Sequence, residues 1–264
     1  QYHAKNGYPL RSHLFAKIDR VSRWASKVAP VANWIMGSSL NRWFLDRFIG
    51  IDARRQLPRF TSDTFSKWFN GRKNRRSGDK GKVLLFNDTF VEYNEPQIGI
   101  AATLILEAAG YQVEIPATKV CCGRPMISKG FLKEAKQRAQ ENIEVLAPYA
   151  EAGMPIIGLE PSCALSFSDD YLDLCDDPRA RTVADKVQML EDFLVERVAA
   201  GEAEFEFTRT RRQILVHGHC HQKALVGTKA TLEVLNMPPN FSAAEIPSGC
   251  CGMAGSFGYE KEHY

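Results

Sequence analysis

The chain of 264 residues has no run of about 18 apolar residues that could span a bilayer, and its first residues lack the order of a signal peptide. No glycine set forms the fingerprint that cradles dinucleotide phosphates, which argues against a nicotinamide-binding enzyme. These absences predict a globular cytoplasmic protein, with peripheral contact at the inner membrane as the alternative.

Acidic residues are scarce at the start of the chain. Residues 1–82 hold 18 Lys and Arg against 5 Asp and Glu, although the net charge of the whole chain is only +3. The two parts of the chain are therefore expected to have different neighbours. We expect the basic start to contact further parts of a larger enzyme, or an anionic membrane surface, and we expect no nucleic-acid partner.

Seven cysteines are present, an odd number, and they stand in short motifs. Cys121-Cys122-Gly123 recurs as Cys250-Cys251-Gly252, and Glu-Ile-Pro stands just upstream of each copy, at 114–116 and 245–247. Adjacent thiols do not easily form a disulfide with each other, but both can reach a metal or an iron-sulfur cluster. The pattern indicates an internal duplication that carries reduced cysteine ligands.

The start of the chain has helical periodicity. Leu14, Ile18, Val21, Trp24 and Val28 recur at three- and four-residue spacing, and Pro30 separates this segment from a second helical one. The sequence divides into a helical connector (1–60), a basic linker (61–82), a first half (83–208) and a second half (209–264).

Strands alternate with helices from residue 83 onward, and this alternation predicts a parallel sheet. The expected strands are Val83–Phe86, Tyr111–Ile115, Ile156–Leu159 and Ile214–Val216. The fold class is α/β: two pseudo-repeated, Rossmann-like parallel-sheet halves follow an α-helical segment. Because little follows the second cysteine pair, we expect this half to be truncated and the natural protein to continue past Tyr264.

Six cysteines are expected at the carboxyl ends of strands, where loops converge in parallel sheets. The six are Cys121, Cys122, Cys163, Cys220, Cys250 and Cys251. Thiolates favour iron-sulfur clusters or zinc over hard cations. The seventh cysteine, Cys175, is expected to be a buried core residue.

The first copy departs from the second at one ligand position. Where the second copy has Cys220, the first has Asn87-Asp88, so its site offers Cys121, Cys122 and Cys163 with Asp88 and Glu160 as candidate oxygen ligands. This site is either degenerate or adapted to another task.

Histidines and glycines surround the cysteines. His217, His219 and His221 cannot all face one site from an extended segment, so we expect them mainly to donate hydrogen bonds to sulfur or backbone. The three glycines next to the cysteine pairs are expected to permit tight turns. They are Gly123, Gly249 and Gly252.

The segments 217–225 (HGHCHQKAL) and 250–259 (CCGMAGSFGY) carry a family resemblance. They resemble the cysteine-rich (CCG) domain of heterodisulfide reductase and of glycolate oxidase iron-sulfur subunits. More narrowly, they resemble the C-terminal region of FAD-linked oxidases of the D-2-hydroxyglutarate dehydrogenase type. The resemblance covers about residues 83–264, and residues 1–60 look like the helical connector of that family.

The resemblance implies an iron-sulfur electron-transfer module, of the 4Fe-4S type, in an oxidoreductase that acts on 2-hydroxy acids such as D-2-hydroxyglutarate, D-lactate or glycolate. FAD and a ferredoxin-like segment are expected elsewhere in the same protein or complex, and a quinone or another acceptor receives the electrons. Cys220, Cys250 and Cys251 match one cluster-binding half. In the other half the three cysteines match, but Asp88 and Glu160 stand where the full motif has cysteines.

Two other functions remain open. The thiolates could hold zinc, at the first site alone or throughout a non-redox interaction domain. Alternatively, Cys121 and Cys122 could act as a redox dithiol of the heterodisulfide reductase kind.

Overall fold

The computed structural model describes residues 2–73, 78–118 and 121–263. The chain begins with five short helices and a π-helical turn: α1 (Tyr2–Asn6), α2 (Leu10–Ala16), α3 (Ile18–Lys27), α4 (Ala29–Gly37), α5 (Ser39–Phe44) and Leu45–Ile49. Pro30 lies in the first turn of α4, where a missing N–H costs nothing, so it separates α3 from α4 as predicted.

The predicted linker at 61–82 contains a further helix, α6 (Phe65–Gly71). Phe65 and Phe69 are one helical turn apart and only 0% and 2% exposed, so this segment is part of the core and not a linker throughout. The Phe65–Phe69 spacing was the signal for this helix, but the surrounding basic residues obscured it. Within the linker, residues 74–77 lie outside the described residues.

A four-stranded parallel sheet forms the centre of the first half. Its strands are β1 (Lys82–Leu85), β2 (Gln112–Glu114), β3 (Ile156–Gly158) and β4 (Val187–Met189), in the order β2-β1-β3-β4. Eight helices accompany them: α7 (Thr89–Tyr93), α8 (Pro96–Ala108), α9 (Arg124–Ser128), α10 (Leu132–Glu151), α11 (Pro161–Ser168), α12 (Asp170–Leu174), α13 (Arg179–Ala184) and α14 (Leu190–Ala199). The α/β class and the parallel pairing predicted from the alternating pattern are confirmed.

Both faces of this sheet are buried, as helices on both sides of a parallel sheet require. Leu84 and Ile156 point into one core layer with α10, α11 and α13. Val83, Leu85 and Ile157 point into the other layer with α6, α8 and α14. The continuous apolar runs of the strands follow from this double burial.

The second half contains a two-stranded parallel sheet of β5 (Arg212–Val216) and β6 (Phe241–Glu245). Its helices are α15 (Cys220–Leu225) and α16 (Lys229–Asn236), and short 3-10 turns follow at Phe257–Tyr259 and Lys261–His263. Because only two strands pair here, the sheet is poorly covered, and Leu215 is 75% exposed.

The ends of the described chain meet. Ile51 and Glu260 form an isolated antiparallel bridge, and the Glu260 carboxylate lies 3.3 Å from the Arg11 guanidinium and pairs with Lys129. The N-terminal helices therefore pack against both halves. No helix within the described ranges combines the length and the apolar character needed to cross a bilayer.

The face that α3 buries is polar. Asp19, Ser22 and Ser26 are buried, whereas Trp24 and Val28 are 68% and 55% exposed. The apolar periodicity predicted a helix correctly, but its largest side chains face outward because small polar residues let α3 approach α7 closely. This leaves an apolar surface with no partner in the described chain.

Candidate metal centres

The first cysteine set consists of Cys121, Cys122 and Cys163, and all three are buried. The adjacent pair follows β2, and Cys163 lies in the first turn of α11 just after β3. The sulfur atoms of Cys122 and Cys163 are 3.0 Å apart although 41 residues separate them in sequence. The fold thus brings this set together at the carboxyl edge of the sheet, where the strand pattern placed it.

The second cysteine set consists of Cys220, Cys250 and Cys251, and all three are exposed. Cys220 is the first residue of α15, and the pair lies in the loop after β6. The Cys220 and Cys250 thiols hydrogen bond to each other. The second set therefore occupies the same edge of its own sheet, but it has no comparable cover.

Both cysteine pairs form the same local turn. Gly123 and Gly252 have φ of 79° and 78°, a left-handed conformation that glycine adopts without strain. In each copy the glycine N–H donates to the sulfur two residues earlier, Cys121 or Cys250, and the second of these bonds is 3.4 Å long. The expectation of a tight turn is met at these two positions, whereas Gly249 has no positive φ.

Two polar side chains hold the backbone of the first pair. The Tyr171 hydroxyl donates to the Cys122 carbonyl at 2.7 Å, and the Asn142 amide donates to the Cys121 carbonyl at 2.9 Å. The Asn142 amide also lies 3.0 Å from the Tyr171 hydroxyl. Sequence reasoning missed both residues, because they come from α10 and α12 and no local motif marks them.

Burial raises the pKa of all three thiols in the first set. For Cys121 the largest cause is its contact with Cys122, followed by loss of solvent. For Cys122 the contact with Cys121 lowers the pKa, but the contact with Cys163 and burial outweigh it. Without a bound cation these thiols are therefore neutral at pH 7.

The carboxylates Asp88 and Glu160 lie beside Cys163. The contact with Cys122 lowers the pKa of Cys163, but burial and the charges of these two carboxylates raise it further. Glu160 accepts a hydrogen bond of 2.6 Å from the Cys163 N–H, and Asp88 accepts from the first N–H groups of α7. Each carboxylate thus caps a helix, which is a structural role that the ligand hypothesis did not anticipate.

The strand registers place Asp88 at the position that Cys220 has in the second half. Leu84 pairs with Glu114 in the first sheet, and Val216 pairs with Glu245 in the second. Four residues after each of these paired strand positions the chain reaches Asp88 or Cys220. The cysteine-to-carboxylate difference inferred from the sequence therefore holds in three dimensions.

The histidines near Cys220 bind protein groups. His217 Nε2 lies 3.0 Å from the carbonyl of Gly249, and His219 Nδ1 accepts a hydrogen bond from the His221 N–H at 3.2 Å. These contacts match the expected backbone hydrogen bonding. Cys175 is 6% exposed in the core layer of α10, as predicted.

The spacing of the sulfurs bears on the kind of metal. In the described ranges, three His, Cys, Asp or Glu ligand atoms lie within 4.8 Å of one another in two groups, Asp169-Asp170-His221 and Glu260-Glu262-His263. Neither cysteine set is among these groups. A tetrahedral zinc ion holds its sulfurs about 3.8 Å apart, whereas a cluster of several iron atoms holds them farther apart. The spacing therefore fits a cluster better than a single ion.

Comparison with known proteins agrees with this geometry. Residues 86–168 match the cysteine-rich domain family CCG. One component of the anaerobic glycerol-3-phosphate dehydrogenase of Escherichia coli K12 is 28% identical over 256 residues, which are 97% of this chain and 64% of that protein. No solved structure is a significant match.

Two further relatives are similar over different lengths. The D-2-hydroxyglutarate dehydrogenase of Pantoea ananatis is 26% identical over 99% of this chain, which corresponds to 26% of that protein. Lactate utilization protein A of Macrococcus caseolyticus is 31% identical over 67% of this chain and 72% of that protein. The chain therefore belongs to the cysteine-rich (CCG) domain family that contains lactate utilization protein A.

Proposed function

We propose that this chain is the iron-sulfur electron-transfer module of a flavin-linked dehydrogenase. The observation that carries the proposal is the repeated Cys-Cys-Gly turn, in which a glycine N–H points at the first sulfur in both copies. Such N–H···S bonds stabilise a thiolate, which is the form that binds metal. Each turn also has a third cysteine from a separate element of its own half.

The residues present fit an iron-sulfur cluster in each half. Cys121, Cys122 and Cys163 would hold one, and Cys220, Cys250 and Cys251 would hold the other, with further ligands supplied from outside these sets. A bound cluster supplies the ability to accept and release one electron at a time. In the first half Asp88 stands in the place of a cysteine, which agrees with a centre of different properties.

The protein around the first set would tune such a centre. Burial excludes water from the three sulfurs, and Tyr171 and Asn142 fix the backbone that presents them. The carboxylates of Asp88 and Glu160 add negative charge nearby, which disfavours a further electron and so lowers the reduction potential. The second set lacks this cover and is the better placed to exchange electrons with a partner.

We propose that the electrons originate from a secondary alcohol. Oxidation of a 2-hydroxy acid to the keto acid releases two electrons and two protons, and a flavin on a partner accepts both electrons and passes them on singly. The names of the relatives support this class, because glycerol 3-phosphate, lactate and D-2-hydroxyglutarate are all secondary alcohols. A quinone is the proposed final acceptor.

Metal analysis of anaerobically purified protein tests the proposal. We expect iron with equimolar acid-labile sulfide and a visible band that dithionite bleaches. Cys122→Ala and Cys250→Ala should each remove one centre and keep the other, whereas the control Cys175→Ala should keep both, since Cys175 lies outside the two sets. Iron content that is unchanged in both set variants would overturn the assignment.

The two alternative functions predict different results. A zinc-stabilised interaction domain would contain zinc without iron and would not change colour on reduction, and the wide sulfur spacing argues against it. A redox dithiol at Cys121-Cys122 would need a lowered thiol pKa, but burial and mutual contact raise the pKa of both thiols.

We also propose that the N-terminal helices contact an anionic membrane surface. Large apolar side chains are exposed across these helices, with Trp34 at 75%, Leu40 at 73% and Trp43 at 56%. The same part of the chain carries the excess of Lys and Arg, which complements anionic lipid headgroups. Trp side chains with basic neighbours are typical of helices that lie in a membrane interface.

A further inference from the structure

The two cysteine sets meet through a pair of helices. Helix α15 of the second half, which begins at Cys220, packs on helix α11 of the first half, whose first turn carries Cys163. Each helix has a side chain at its N-cap that accepts a backbone N–H: Glu160 caps α11 and His219 caps α15. The two cap residues face each other.

His219 contacts both halves at once. Its Nδ1 accepts a hydrogen bond from the His221 N–H, so in the neutral ring the proton is on Nε2. That Nε2 lies 3.4 Å from the Ser162 hydroxyl and 3.8 Å from Oε1 of Glu160. The ring therefore caps its own helix with one nitrogen and points the N–H of the other at the first half.

The Glu160 carboxylate completes the connection. Its Oε2 accepts from the Cys163 N–H at 2.6 Å, while its Oε1 faces His219. A continuous polar path thus runs from the backbone of Cys163 through one carboxylate and one imidazole to the first turn that holds Cys220. A neighbouring contact supports the same packing, since His221 Nε2 lies 3.9 Å from Asp169 at the end of α11.

We propose that His219 is a positioning residue that holds the second cysteine set at a fixed distance from the first, so that the two centres form one electron relay. The inference rests on the proposed function. Electron transfer between centres slows steeply as their separation grows, so a residue that fixes the α11–α15 contact controls the internal step. Exposure of the second set makes this control necessary, because few other contacts hold it.

Two substitutions separate the cap from the bridge. Asn in His219→Asn still caps α15 but is too short to reach Ser162 or Glu160. Gln in His219→Gln is a poor cap, but its amide can reach Ser162 and Glu160. The substitution His3→Asn, at an exposed histidine of α1, serves as the matched control.

The first measurement is the magnetic interaction between the two centres in the half-reduced, iron-loaded protein. We expect His219→Asn to weaken this interaction and to shift the lower reduction potential, while iron content, His219→Gln and His3→Asn stay near the parent. A residue that acted only as a helix cap would give the opposite order, with Gln worse than Asn.

Hydrogen exchange of the α15 amides in metal-free protein is the second measurement. We expect His219→Asn to raise their exchange about fivefold, the factor that corresponds to about 1 kcal/mol for one hydrogen bond. Parent-like exchange and parent-like interaction in His219→Asn would overturn the positioning role. Absence of iron from the parent would instead overturn the proposed function and the relay with it, while the exchange data would still report the contact.

Discussion

At the scale of single residues, the glycine of each Cys-Cys-Gly turn decides how the thiols behave. A Cβ at Gly123 would lie 3.2 Å from Cβ of Arg138, whereas a Cβ at Gly252 would meet nothing within 4 Å. Both positions nevertheless require a left-handed φ. Glycine is thus selected here by backbone conformation first, and by space only in the buried copy.

Cys250 is expected to be the most reactive thiol of the metal-free protein near neutral pH. Hydrogen bonds from the Gly252 N–H and from Cys220 lower its pKa, whereas burial raises the pKa of Cys175. A lowered pKa leaves more thiolate at pH 7, and this advantage disappears as pH rises past the ordinary thiol value of about 8.5. Alkylation followed by peptide mass analysis at pH 6 to 9 measures it. Equal rates for the two thiols at pH 7 would contradict the prediction.

At the scale of elements, close helix packing explains why the N-terminal segment binds the first half. Gly99 of α8 lies so near α6 and α7 that a Cβ there would be 2.6 Å from Val91 and 2.7 Å from Phe65. Phe65 is fully buried and cannot move aside. This glycine therefore permits the close contact of the three helices.

The substitution Gly99→Ala is expected to destabilise the protein by about 1–3 kcal/mol, the usual cost of overpacking a core. The matched control is Gly37→Ala at the end of α4, where a Cβ would meet nothing within 4 Å. This control should be neutral or stabilising by up to about 1 kcal/mol. Urea unfolding of both variants measures the difference, and equal midpoints would refute the packing argument.

At the scale of the whole molecule, the chain has two unlike surfaces. The N-terminal helices expose aromatic and basic side chains, while the edge with the second cysteine set exposes thiols. The part of the chain from residue 83 onward carries an excess of acidic residues. One surface thus suits an anionic membrane, and the other suits a redox partner.

Vesicle flotation tests the membrane surface. We expect the parent to bind vesicles that contain anionic lipid, less so at high salt, and to ignore neutral vesicles. Replacing Trp34 and Trp43 together by Ser should weaken binding at least about tenfold, because each loses apolar area buried in the interface. Leu215→Ser is the control, since Leu215 is 75% exposed on the other sheet. Binding independent of lipid charge would count against the proposal, and no binding would assign this surface to a protein partner.

Much of the fold could be predicted from local pattern. The strands around Val83, Val113 and Ile156 are confirmed within one or two residues, because short apolar runs between helix signals have few other uses. Strand β4 escaped prediction because Val187-Gln188-Met189 is short and only partly apolar. Helix α6 was concealed among basic residues.

The sequence by itself determined the duplicated cysteine turn, the parallel α/β class and the replacement of a cysteine by Asp88. Each of these depends on neighbours within a few residues or on a repeated motif. Only the tertiary structure decided that the first set is buried under Tyr171 and Asn142, that the second is exposed, and that His219 connects them. The physical reason is that these contacts join residues from separate elements, and their pairing depends on how helices pack on the sheets.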